Sequence, residues 1–180
     1  MKMFFLSLAA ARPASAILRK PVAIALLVFL LASLLCACSG GSADISAYEN
    51  DLIEIVGLPG GDFTITPKEL LALDCVTRTA TGATEKAGTV SATGPLLDTF
   101  LAGYGLKASD FDRIRFLAKD DYRTILRGEY LTDYEVIMAV SAGKQAFDER
   151  LRPMRLLIPE AESAMWAYGV IRIEFVYADP

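Results

Sequence analysis

The chain has 180 residues, with 18 Lys and Arg against 22 Asp and Glu, no His and three Cys. A hydrophobic share of 53% with only 22% charged residues excludes a disordered chain, and a formal charge of -4 argues against nucleic-acid partners, which need a basic face. The missing histidine removes Ser–His and Cys–His hydrolases, histidine-bearing zinc sites and histidine-ligated haem.

The first 37 residues stand apart. They carry Lys2, Arg12, Arg19 and Lys20 without a single acid, and they end in an uncharged apolar run from Pro21 to Ala37. A basic start, an apolar centre and small residues at the end are the parts of an export signal. The run closes on Leu35-Cys36-Ala37-Cys38-Ser39-Gly40-Gly41, which resembles a bacterial lipobox with Cys38 as the acylated residue. Cys36 fits less well, because Leu35 would then stand where a small residue is wanted. That reading gives a signal peptide over residues 1–37 and a lipid-anchored Cys38 carrying acyl chains, palmitate among them. Each buried methylene contributes ~0.8 kcal/mol to such an anchor. The alternative is an uncleaved membrane helix, for which about 18 residues suffice. Either way the domain is expected outside the cytoplasm and tethered to the cell membrane of a bacterial envelope. Taking the four leader cations from the 18 leaves a net charge of -8 against the 22 acids. The tether must therefore supply the attachment to an anionic bilayer. Residues 38–50, rich in Ser, Gly and Ala, read as a flexible linker, and 51–180 as a single domain.

Within that domain, Leu52–Val56 is a strand candidate stopped by Gly57-Leu58-Pro59-Gly60-Gly61, and Phe63–Thr66 is a second extended piece. Thr66-Pro67-Lys68-Glu69 combines an N-cap, a proline at the first helical position and a glutamate three residues after the cap, so a short helix through Leu73 follows. Cys75–Thr81 alternates and is β-branched, and Thr89–Thr93 is its return partner. Pro95 opens a helix that buries Leu96, Leu97, Phe100 and Leu101. Ile114–Ala118 and Arg123–Leu126 flank a turn at Asp120-Asp121. Tyr134–Val140 and Met154–Ile158 are apolar runs, a short helix is expected over Glu160–Ala167, and Val170–Val176 closes with period-two alternation. Strands dominate, with short helices between them, which gives an α+β domain with a mixed sheet.

The candidate chemistry is sparse. Cys75 is the thiol left after processing, and its place at a strand start suits a small packed residue, the alternative being a reactive or metal-bound thiolate. Asp110, Asp112, Asp120 and Asp121 lack the spacing of a calcium loop and read as turn acids. Arg150, Arg152 and Arg155 suit an anion, since guanidinium groups match phosphate geometry. Trp166 and Tyr168 could line a pocket, although aromatic residues near a strand entry more often close a core. No residue stands out as catalytic or as a metal ligand.

Several of these pieces occur in a familiar order. Ile53-Glu54-Ile55-Val56-Gly57, Phe63-Thr64-Ile65-Thr66 with Glu69-Leu70, Gly94-Pro95-Leu96-Leu97 with Phe100-Leu101, Phe116-Leu117-Ala118-Lys119-Asp120-Asp121-Tyr122 and Arg152-Pro153-Met154-Arg155-Leu156-Leu157-Ile158-Pro159 together resemble the molybdopterin-binding oxidoreductase domain of the sulfite oxidase family. Trp166 and Ile171-x-Ile173-Glu174 fit as well. The resemblance covers about residues 51–177. It implies that family's mixed-sheet fold, a molybdenum held by a dithiolene pterin and one cysteine, and a pterin-phosphate contact at Arg155. The ligand cysteine would lie near Ala80 to Gly82, where this chain has none. Cys75 lies at the other end of that strand, and Arg150 stands where the family has asparagine. The family's "Ala-x-Asp-Gly-Tyr" segment has Asp121 in place of its glycine. The expectation is a shortened relative that lacks the metal-ligand cysteine and serves as a binding module for a small anionic ligand or an envelope protein. The alternative is a molybdopterin-dependent oxidoreductase with an unusual metal site.

Overall fold

In a computed structural model of the chain, residues 43–82 and 88–178 are described. The signal peptide expected over residues 1–37 and the expected acylation site Cys38 lie outside the described residues. Among those described, no helix is long and apolar enough to cross a membrane. The chain runs through β1 (Ile53–Val56), β2 (Phe63–Ile65), α1 (Pro67–Leu71), β3 (Cys75–Thr81), β4 (Thr89–Pro95), α2 (Leu97–Ala102), β5 (Phe111–Ala118), β6 (Arg123–Leu126), α3 (Glu129–Thr132), β7 (Ile137–Ala139), β8 (Ser141–Ala142), β9 (Gln145–Ala146), β10 (Arg155–Leu157) and β11 (Val170–Tyr177). This is an α+β fold with a mixed sheet, as the order of strand and helix signals implies.

The five-stranded sheet has the order β2-β1-β11-β5-β6, with β1 parallel to β11 and the other pairs antiparallel. Alternation in β11 and β5 puts Ile173, Phe175, Ile114 and Phe116 on the buried face. On the other face Arg172 bonds Glu54 at 2.9 Å and Glu174 at 2.8 Å, and Arg115 bonds Glu174 at 3.3 Å. The second sheet, β3-β4-β8-β9, is antiparallel. Between the two lies the antiparallel ribbon β7–β10, every residue of which is buried. Its alternation sends Met138, Val140, Leu156 and Ile158 into the larger core beneath the five-stranded sheet, and Ile137, Ala139 and Leu157 into a second core with Ala80, Ala92, Phe147 and Trp166. Gly94 lets β4 meet this ribbon, because a side chain there would strike the Met138 carbonyl.

The Thr66 capping box forms as the sequence indicates. The Glu69 amide donates to Thr66 Oγ1 at 3.2 Å, and the Thr66 amide donates to Glu69 Oε2 at 2.8 Å. The turn after β5 places Asp121 at φ 64°, a left-handed conformation, at the position where the resembled segment has glycine. The helix expected over 160–167 is reduced to one 3-10 turn, Ser163–Met165. The cause is tertiary: the Leu156 amide donates to the Ala167 carbonyl at 2.9 Å, and Trp166 Nε1 donates to the Ile158 carbonyl at 2.9 Å. Both bonds draw the chain into extended form beside β10.

Residues 43–50, expected as part of a flexible linker over 38–50, are docked on the domain. Ala43, Ile45 and Tyr48 are buried in the second core, at 8%, 7% and 2% exposure. Tyr48 Oη donates to the Val140 carbonyl at 2.7 Å and accepts from the Phe147 amide at 3.0 Å. The Lys68 amide donates to the Glu49 carbonyl, which ties the segment to α1. Residues 43–50 are thus a docked strap, because a tyrosine, an isoleucine and an alanine find a core to fill.

Tyr48→Phe keeps the packing but leaves a buried amide and carbonyl unpaired, so it should cost ~1–3 kcal/mol in denaturant unfolding. Burial, the largest influence, raises the pKa of the hydroxyl above its ordinary value, against the Phe147 bond and the charge of Arg152. The wild-type advantage should therefore hold below pH ~10 and disappear as pH rises through the folded-state pKa.

Candidate functional site: an arginine–aromatic cluster

Arg155 is the first residue of β10 and pairs in register with Ala139. The alternation that sends Leu157 into the second core turns the Arg155 side chain to the same side, where it is 3% exposed. Its guanidinium carbon lies 5.1 Å from the Trp166 ring centre and 4.7 Å from that of Tyr168. Nη2 donates to Tyr168 Oη at 3.4 Å, while Nε is buried without a hydrogen-bond partner. Burial, the largest effect, holds the guanidinium pKa below its ordinary value. The Tyr168 hydroxyl acts in the opposite direction, and the charge of Arg150 adds to the lowering. An arginine nonetheless stays charged at neutral pH.

Two more arginines join it. Arg150 lies 5.3 Å from the Tyr168 ring centre, and Arg152 lies 4.8 Å from that of Tyr48 while its Nε donates to the Phe147 carbonyl at 2.9 Å. Gly169 holds this loop close. It has φ +64°, and a side chain there would sit 2.8 Å from the Arg150 carbonyl and 3.0 Å from that of Arg152. Asp148 orders the same loop by accepting from the Arg150 and Leu151 amides. Among the described residues no carboxylate pairs with Arg150, Arg152 or Arg155. By contrast Arg78, Arg113 and Arg115 each have one and Arg172 has two. The sequence marked Arg150, Arg152 and Arg155 as one group and Trp166 and Tyr168 as another; the fold brings Arg150 and Arg155 onto Tyr168 and Arg155 onto Trp166, while Arg152 lies on Tyr48. The sequence reading missed Tyr48, whose only sequence signal was an aromatic in a polar stretch.

Cys75 takes no part in this cluster, and it is not packed as expected. In β3 the exposed positions are 75, 77, 79 and 81, while Val76, Arg78 and Ala80 turn inward. Cys75 therefore lies on the opposite face from Ala80 and about 16 Å along the strand at ~3.3 Å per residue. Its Sγ contacts the Leu70 carbonyl at 3.7 Å. Local desolvation raises the thiol pKa, and the Asp74 charge adds to it. The turn acids act as caps: Asp110 accepts from the Lys107 amide and Asp120 from the Tyr122 amide. Among the described residues no three His, Cys, Asp or Glu gather as a metal cluster.

With this geometry in place, the fold is similar to that of the sulfane dehydrogenase SoxCD from Paracoccus pantotrophus. The two share 22% identity with a TM-score of 0.58, over 71% of this chain and 38% of that one. The chain thus spans well under half the length of that protein, and the likeness is one of fold. No protein-family model matches the chain, and no curated protein sequence does.

Cys75→Ala should change stability by less than about 0.5 kcal/mol, as for an exposed side chain away from caps and core. Alkylation of Cys75 should be slow at pH 7 and accelerate only above the usual thiol range, because the thiolate is the nucleophile. A fast reaction at neutral pH would show an activated thiolate instead.

Proposed function

We propose that the chain is a lipoprotein anchored at Cys38 outside the cytoplasm, whose sulfite-oxidase-like domain holds a small oxyanion at Arg155. The observation that carries this reading is the buried Arg155 guanidinium, whose Nε has no partner and which, among the described residues, has no carboxylate in ion-pair contact, Asp148 acting on it only from a distance. A buried charge without a counterion is costly, and an anion held by charge-assisted hydrogen bonds would supply what is missing. The rings of Trp166 and Tyr168 offset part of that cost through their negative faces.

The group the resemblance implies, a molybdenum pterin, does not fit the residues present. The stretch where its cysteine would lie, Ala80 to Gly82, holds no thiol, its Ala80 is buried, and Cys75 faces away from Ala80. Tyr48, Phe147 and Trp166 fill the core into which Ala80 points. The reading is therefore a binding module rather than a molybdenum oxidoreductase. Support for the anchor is the sequence alone: the basic start, the uncharged run and the Leu35-to-Cys38 spacing.

Melting temperature tests the site. Millimolar sulfate or phosphate should raise it in the wild type, relative to chloride at equal ionic strength, and should not raise it in Arg155→Met. A large fall in Arg155→Met with no anion effect in either protein would leave Arg155 a purely structural residue.

Cell fractionation tests the address. Cys38→Ala should release or misprocess the protein and change its mobility. Full retention at unchanged mobility would point to an uncleaved membrane helix.

A further inference from the structure

The five-stranded sheet ends on β6, which pairs with β5 alone among the described residues. The Ala118 amide donates to the Tyr122 carbonyl at 2.9 Å, so the bonded pairs across β5 and β6 are 118 with 122, 116 with 124 and 114 with 126. The amides and carbonyls of Arg123 and Ile125 therefore point away from β5, and among the described residues they bond to nothing else. Such an edge is a template for another strand. Ile125 stands on it at 41% exposure, and Tyr122 just ahead of it at 44%. The charges around the edge choose the partner. Asp120 and Asp121 precede β6, Arg123 begins it and Arg127 follows it. All four are exposed, and none makes an ion pair among the described residues. A strand with acids ahead of it and a base behind it is complementary to an antiparallel copy of itself.

We infer that the β6 edge is a self-association surface: two copies of this chain pair their β6 strands antiparallel about a two-fold axis at Thr124, and the two five-stranded sheets become one. Outward amides must face outward carbonyls, which restricts the registers, and like charges set directly opposite each other are unfavourable. An axis at Arg123 would set that residue against the partner's Arg123, and an axis at Ile125 would set it against the partner's Arg127. The axis at Thr124 instead sets Asp121 against the partner's Arg127 and Arg123 against the partner's Ile125. β6 has four residues, so the seam is short and the pair is weak in dilute solution. Its consequence lies on the solvent-facing side of the sheet. A cleft of about 450 Å³, lined by Arg115, Leu117, Arg123, Ile125 and Glu174, borders the seam there. Pairing adds the partner's Arg123 at its rim, opposite Ile125.

Sedimentation of the full-length protein in detergent, over a concentration series up to millimolar, reads the association. Wild type should pass from monomer to dimer across the series. Ile125→Pro removes an outward amide and no bond to β5, so it should weaken dimerisation at least tenfold while the far-ultraviolet circular dichroism stays unchanged. Arg127→Asp, which lies outside every strand, should weaken it at least threefold, and it carries the test alone if the proline variant fails to fold. Hydrogen exchange gives a reading that needs no variant. The Arg123 and Ile125 amides should exchange more slowly in wild type as concentration rises, while the Thr124 and Leu126 amides, bonded to β5, should not change. A wild type that stays monomeric throughout, dimerisation that either folded variant leaves undiminished, or Arg123 and Ile125 amides indifferent to concentration would overturn the proposal.

Discussion

The β7–β10 ribbon has no solvent-facing side, and the rest of the domain is arranged to meet that condition. A two-stranded ribbon alone cannot bury both faces, so each face needs its own cover. The five-stranded sheet and helices α1 and α2 supply one. The β3–β4 hairpin, Phe147, Trp166 and the strap supply the other. The continuous apolar run Val136–Val140 reflects this, because a strand buried on both faces has no reason to alternate. A one-residue slip in the pairing of Leu156 with Met138 would exchange the contents of the two cores.

That constraint also explains why a charge lies in the interior. Position 155 shares its parity with Leu157, so its side chain must enter the second core whatever its chemistry. The protein surrounds it with aromatic faces and one phenol rather than a carboxylate. Glutamates elsewhere in the domain pair with arginines at or near the surface, in the chain Glu54, Arg172, Glu174 and Arg115 across three strands. The contrast between the carboxylate-paired arginines of the sheet surface and the interior Arg155, which has no such partner among the described residues, is what the proposed binding role rests on.

Local signals were legible where the local sequence decides the outcome. The Thr66 capping box, the alternation of β11 and the β5–β6 hairpin depend on residues a few positions apart, and each appears where its pattern puts it. The misplaced elements depend on distant partners. The strap has the small polar composition of a linker, and what holds it is Val140 and Phe147, 92 and 99 residues further along the chain. The helix signal of Glu160–Ala167 gives way to bonds with the residues around β10. Cys75 is exposed because the register of β3 against β4 fixes the parity of the strand, and nothing near Cys75 announces that parity. Arg155 was legible as an anion contact by resemblance, but its lack of a carboxylate is a property of the fold.

The strap has a mechanical consequence. Any tension on the chain ahead of Ala43 reaches Tyr48 before it reaches a strand, because the strap is the first described segment and lies outside every sheet. Its few attachments are met one after another, as in peeling, whereas the seven registered pairs that join β11 to β5 would have to be sheared together. A pull from that end therefore spends itself on the strap first, and the five-stranded sheet behind it remains unloaded until the strap has come away.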